Sequence, residues 1–284
     1  MTQSGSVSSH GPVAPWLAIQ GARSLTQSSA SSTPAVLLEL CAGGIEDVRL
    51  AARLKVDRIE LNSGMALGGL TPSAGLVAAA RQEFSGPIIA MVRPREGGFL
   101  YSSAEFMQML DDCEFLLARG VDGVAIGLLK ADGTIDQVRC RKLRAVFPKT
   151  TLVFHKAFDV TPDLPLALQQ LIDCRFQRIL TSGGKPTASE GAGVLRQLQS
   201  TANGRIEILA GGGVRAANVA ELLKQSGCHQ IHSAVRIVVE DPSSQKNPAV
   251  HFGIPGTNVG GCFGAASEEQ LVKLQAAIAA STEQ

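Results

Sequence analysis

The sequence predicts an α/β protein built as a single (β/α)8 TIM barrel, and three observations lead there. From Pro34 onward, short β-branched or apolar runs alternate with helical patterns, as in a parallel sheet with crossover helices. Eight such runs are present, with starts about 20 to 35 residues apart, the space that one strand, one helix and two loops occupy. Setting aside a 33-residue tail leaves 251 of the 284 residues, the length of one barrel rather than of two ordinary domains. An open doubly wound sheet usually has fewer strands, and closure removes both sheet edges.

In chain order, residues 1–33 are rich in serine, contain no acid and carry Arg23 as their one strong base, which reads as a disordered tail rather than a targeting helix. The barrel domain is 34–284. Its candidate strands are Leu37–Cys41, Arg58–Asn62, Pro87–Arg93, Gly123–Gly127, Thr151–His155, Arg178–Ser182, Ile206–Gly211 and Gln230–Ser233. Thr71-Pro72 and Thr161-Pro162 each place a capping threonine before a proline, and Ser102 with Glu105 has capping-box spacing. The helix after the third strand carries Phe106, Met109, Leu110, Cys113 and Leu117 on one stripe, so Cys113 reads as core; Cys140 and Cys174 lie on similar apolar faces. A last helix is expected near Gln270–Ala280. Before it runs 236–267, rich in Pro, Gly and Asn, long enough to be a lid or an oligomer arm.

Composition excludes several functions. Hydrophobic residues are 45% and charged residues 18% of the chain, enough apolar content for a large core. The net charge of +1 gives no pull toward nucleic acid or an anionic membrane surface. No run of about 18 apolar residues is long enough to span a bilayer. Six scattered cysteines without a C-x-x-C pair point to a reducing, cytoplasmic setting.

The chemistry is expected where strands end in polar residues, at the carboxyl rim of the barrel. Side chains alternate along a strand, so Glu39 and Cys41 share one face of strand one, and Glu60 and Asn62 one face of strand two. An ionised glutamate aimed at apolar helices would be costly, so both glutamates are turned inward. Arg93 ends strand three and His155 ends strand five, the latter opening the run His155-Lys156-Ala157-Phe158-Asp159. Glu39, Glu60, Arg93, His155 and Asp159 are therefore the candidate catalytic residues, with the carboxylates and imidazole as acid and base and Arg93 orienting an anion. Lys156 points away from His155 and reads as an ion-pair partner.

Anion binding is expected at Arg95, whose forked donors suit a carboxylate or phosphate, and at two glycine turns. One holds Ser182 and Gly183; the other holds Gly212 and Gly213, ahead of a helix expected near Ala216. For a soft metal, Cys41 is the one cysteine placed at the rim. His155 and His232 are candidate nitrogen ligands, with the face of His232 left open between the barrel interior and the helices.

Leu38-Glu39-Leu40-Cys41, Asp57-Arg58-Ile59-Glu60-Leu61, Gly68-Gly69-Leu70-Thr71-Pro72-Ser73, Arg93-Pro94-Arg95 with Gly98-Phe99-Leu100-Tyr101-Ser102, Asp132-Gly133-Thr134-Ile135-Asp136, Phe154-His155-Lys156-Ala157-Phe158-Asp159 and Leu180-Thr181-Ser182-Gly183 resemble the CutC family. The resemblance covers nearly everything after the tail. It implies a TIM barrel, cytosolic in most members and commonly a homo-oligomer, with a role in copper homeostasis and copper as the implied cargo. The copper ligands proposed for the family are cysteines ending the first two strands; here these positions hold Cys41 and Asn62. An arginine commonly follows the family's histidine where this chain has Lys156. The residues read alone give the alternative, a metal-independent enzyme acting on a small anionic metabolite.

Overall fold

The computed structural model describes residues 35–244, 246–247, 250 and 261–282. The expected tail, residues 1–33, lies outside the described residues, as does most of 245–260. Eight parallel strands close into a barrel in chain order: β1 Leu37–Ala42, β2 Arg58–Leu61, β3 Ile88–Met91, β4 Gly123–Ile126, β5 Thr151–Phe154, β6 Arg178–Thr181, β7 Glu207–Gly211 and β8 Gln230–Ser233. β8 pairs with β1 to complete the ring. Most expected strands end one or two residues early, because the last predicted residues leave the ladder to form the rim.

The helices are α1 Ile45–Arg53, α2 Ala74–Glu83, α3 Ser103–Ala118, α4 Gln137–Val146, α5 Leu164–Asp173, α6 Ala192–Ala202, α7 Val219–Ser226 and α8 Glu268–Thr282. The capping box at Ser102 and Glu105 forms in full. The other two starts shift. Ser73 rather than Thr71 caps α2, and Asp163 rather than Thr161 caps α5. In each case the side chain after the proline reaches the free amide three residues on, while the threonine bonds elsewhere: Thr71 Oγ1 to the carbonyl of Arg93, Thr161 Oγ1 to that of Phe158. The helix expected near Ala216 begins at Val219. Cys113, Cys140 and Cys174 are buried.

The stretch 236–267 is not wholly loop. Its ends pair antiparallel as β9 Arg236–Glu240 and β10 Cys262–Ala266. Asp47 of α1 anchors this ribbon: its carboxylate pairs with Arg236 at 3.2 Å and accepts from the amides of Ala266 and Gly43 at 2.8 Å each.

Alternation along the strands makes two cores. Outward side chains such as Leu38, Leu40, Ile59, Phe154 and Ile231 pack beneath the helices. Inside the barrel, Ile89, Met91, Ala125, Val153, Leu180 and Leu209 form a small apolar cluster. These six come from β3 to β7. The interior beside β8, β1 and β2 is polar instead, filled by Gln230, His232, Glu39, Cys41, Arg58 and Glu60, and this division positions the site.

Candidate functional site

Register brings the polar residues together. Glu39 lies level with Arg58 on one side and His232 on the other, and Cys41 lies level with Glu60. Arg58 Nε donates to one Glu39 oxygen, and His232 Nδ1 meets the other at 2.8 Å. A carboxylate accepts only, so Nδ1 carries the proton. This turns Nε2 toward Glu60, whose Oε2 is 3.9 Å away. Cys41 Sγ donates to the same Glu60 oxygen at 3.6 Å. Asn62 Nδ2 donates to both Cys41 Sγ, at 3.4 Å, and Glu60 Oε2, at 2.9 Å. Cys41, Glu60 and His232 thereby place three potential ligand atoms within 4.8 Å of one another.

Burial and charge set the protonation of this group. Burial alone would raise Glu39, but the hydrogen bond from His232 and the charge of Arg58 outweigh it and hold the carboxyl down to about 2. Glu60 is raised, by burial first and with the charge of Glu39 adding to it against the pull of His232. Burial also raises the Cys41 thiol. His232 is lifted well above the ordinary imidazole value, because Glu60, Cys41 and Glu39 together overcome the effect of burial. The resting site thus keeps a proton on the thiol and positive charge on the imidazole, beside one firmly ionised carboxylate.

Sequence reasoning left the face of His232 open, and the structure turns it inward. The signal was present in Ile231, the one strongly apolar residue of Gln230-Ile231-His232-Ser233, whose burial under the helices sends Gln230 and His232 to the interior.

Arg93 and His155 do not join Glu39 and Glu60: among the described residues no hydrogen bond or ion pair links the two groups. Arg93 donates to the carbonyls of Leu67, Gly69 and Gly97 at 2.8–2.9 Å and lies over the Phe99 ring. Its fork holds two loops instead of facing an open anion. His155 packs 5.0 Å from the same ring, with Nδ1 accepting from the amide of Ala157. Burial, helped by the charge of Arg93, lowers its pKa to about 3. A base this weak is a poor proton acceptor at neutral pH.

That depression predicts acid sensitivity. His155 stays neutral in the fold down to about pH 3, whereas it takes up a proton near pH 6.5 in the unfolded chain. Stability is therefore expected to fall as pH drops below about 6.5, by about 2 kcal/mol between pH 7 and pH 5 from this group. Urea unfolding at the two pH values should show that this part of the drop is missing from His155→Gln. Equal drops in both proteins would refute it.

Asp159 lies in a separate cluster. Its carboxylate accepts from the amides of Ser182, at 3.0 Å, and Gly184, at 2.9 Å, and from the hydroxyls of Thr181 and Ser182. Lys156 Nζ pairs with it at 3.0 Å and donates to Ser182 Oγ at 2.7 Å. The anion expected at the Ser182 and Gly183 turn is therefore the protein's own carboxylate, and the Gly183 amide is taken by Thr181 Oγ1. Arg95 is likewise engaged, with Glu105 at 2.5 Å and over the Tyr101 ring. Gly212 and Gly213 form a turn with φ of +113° and +68°. A Cβ on Gly212 would stand 3.2 Å from Lys156 Nζ, so this turn faces a cation.

Comparison with known proteins agrees with the barrel fold and places the chain in a family. The CutC family model matches residues 36–237. A CutC family protein of Treponema denticola is 45% identical over 218 residues, 77% of this chain and 89% of that protein. The copper homeostasis protein cutC homolog of Homo sapiens is 37% identical over 217 residues, 76% of this chain and 80% of its own. A crystal structure of CutC from Streptococcus agalactiae is similar at TM-score 0.66 and 33% identity, covering 69% of this chain and 97% of that one. A thiamine phosphate pyrophosphorylase from Pyrococcus furiosus, at TM-score 0.53 and 13% identity, shares the fold alone.

Proposed function

Because the chain belongs to the CutC family, we propose that it is a copper-handling protein of the cytosol that holds Cu(I) as cargo between Cys41 and His232 at the barrel mouth. One observation carries this reading: a thiol, an imidazole nitrogen and a carboxylate oxygen lie within 4.8 Å of one another on three adjacent strands. Thiolate and imidazole are donors that suit Cu(I), and Glu39 orients the imidazole as partner carboxylates orient metal-binding histidines. Binding must release two protons, one from the thiol and one from His232 Nε2, and Glu60 Oε2, 3.6 Å from the sulfur and 3.9 Å from that nitrogen, is placed to accept on the way to solvent. Asn62 adds no sulfur and serves through its amide, which donates to Cys41 Sγ. No helix among the described residues is long and apolar enough to cross a membrane.

Titration of the reduced protein with Cu(I), under anaerobic conditions, is expected to build an ultraviolet thiolate-to-copper band that saturates at one equivalent. Cys41→Ala should lack it. An equal band in Cys41→Ala would assign the copper to another cysteine and end the proposal.

A second reading, an enzyme acting on a small anionic metabolite, draws support from the turn at Gly212 and Gly213 beside Lys156. Inorganic phosphate at a hundredfold over its Kd would then stabilise the fold by about 2.7 kcal/mol. No thermal shift, or the same shift in Lys156→Ala, counts against it. Homo-oligomer formation belongs to the same set of proposals; Val238 and Phe263, 71% and 54% exposed on the ribbon, support it.

A further inference from the structure

We propose that Met65 supplies a thioether sulfur to the same ion, so that Cu(I) is held by Cys41 Sγ, Met65 Sδ and His232 Nε2. The inference rests on the copper reading above and adds to it a donor from outside the strands.

A single thiolate is a sparse donor set for a soft ion, and thioether sulfur is the other soft ligand that side chains offer. Met65 Sδ lies 4.0 Å from Cys41 Sγ. Two sulfurs each about 2.3 Å from one metal, a usual metal–sulfur length, stand about 4.0 Å apart when they subtend roughly 120°. The pair is thus already spaced for a three-coordinate ion between them. In the resting protein Glu60 Oε2 and this thioether are both within reach of the single thiol proton. With the thiol and imidazole protons released, Cys41 Sγ stands 4.0 Å from the thioether and within 4.8 Å of a ring nitrogen of His232.

The chain around Met65 is built to hold it there. Met65–Leu67 forms one turn of 3-10 helix between Gly64 and Gly68, whose φ values of +54° and +87° are those of the left-handed region. A bridge between Ser63 and Leu70 closes the base of the loop. Arg93, just past the end of the neighbouring strand β3, pins it through the carbonyls of Leu67 and Gly69. On the other side the absence of a side chain at Gly43 makes room: a Cβ there would come within 2.5 Å of Met65 Cγ. Arg93, read from the sequence as a group that orients substrate, is on this view a positioning residue for the loop that carries the sulfur. Cys41 is buried while Met65 is half-buried, so the thioether is the donor nearer to solvent and the first that an arriving ion would meet.

Selenomethionine-labelled full-length protein, reduced and loaded with one equivalent of Cu(I), tests this by X-ray absorption at the copper edge. The expected spectrum contains a copper–selenium distance beside a copper–sulfur distance. In labelled Met65→Leu the selenium contribution should vanish while the copper–sulfur distance stays, with Cu(I) affinity weaker by about tenfold. Copper–sulfur without copper–selenium in the parent would overturn the inference and leave the Cys41 reading standing. Selenium scattering that persists in Met65→Leu would also overturn it, since the donor would then be another methionine such as Met91. A spectrum with neither sulfur nor selenium would remove the copper reading itself.

Discussion

Glu39→Ala is expected to destabilise the protein by about 3–5 kcal/mol, the range for removing one partner of a buried ion pair. Its side chain is 2% exposed and that of Arg58 only 5%. The carboxylate lies between two positive groups, with Arg58 Nε on one oxygen and His232 Nδ1 on the other. Deleting it leaves a guanidinium inside the barrel whose other hydrogen bond, among the described residues, is to Gln230 Oε1 at 2.8 Å. Arg178 is also close enough to feel that charge, because its Nε donates to the same Gln230 oxygen at 3.1 Å. The penalty is therefore the cost of an uncompensated buried cation, and it should shrink when that cation is removed as well. Glu39→Leu combined with Arg58→Met is expected to be closer to the parent than Glu39→Ala is, by denaturant midpoint at unchanged m-value. A single variant within about 0.5 kcal/mol of the parent, the range of an ordinary surface change, would mean that water reaches the interior.

Asp159→Ala should cost about 2–4 kcal/mol, because it strips partners from several groups at once. The amides of Ser182 and Gly184 point at this carboxylate, as do the hydroxyls of Thr181 and Ser182. The turn it closes is tight: a Cβ on Gly183 would approach the carbonyl of Gly191 to 2.7 Å, so the loop has little freedom to find other acceptors. Lys156 would keep Ser182 Oγ and lose its counter-charge. Asp159→Asn retains one acceptor and should recover part of the loss. A midpoint unchanged by Asp159→Ala would show that water replaces the carboxylate without cost.

The barrel was legible because its signal is repeated. Eight apolar runs at regular spacing, each followed by a helical pattern, leave few other topologies, and burying an ionised glutamate among leucines is costly enough to orient β1 and β2 correctly. Strand ends and helix starts were less legible. Thr71-Pro72-Ser73 and Thr161-Pro162-Asp163 each offer two caps, and only the geometry of the turn selects Ser73 and Asp163. The site was read in part. Glu39, Glu60 and Cys41 follow from alternation together with the cost of burying a carboxylate, but Arg93 and His155 have the right phase and a different environment, since loop carbonyls and the Phe99 ring engage them first. Met65 had no periodic signal at all, because it lies on a loop whose path is set by glycines and by an arginine more than twenty residues away.

The central claim, that Cys41 and His232 hold the copper together, is tested most directly by anaerobic competition with a Cu(I) chelator of known affinity, using the parent, Cys41→Ala, which keeps the other five cysteines, and His232→Gln, which keeps all six. One Cu(I) per chain in the parent is expected, with affinity reduced by about a hundredfold or more, roughly 2.7 kcal/mol, in each variant. Parent-like affinity in either variant, or in both, would place the ion elsewhere and contradict the claim.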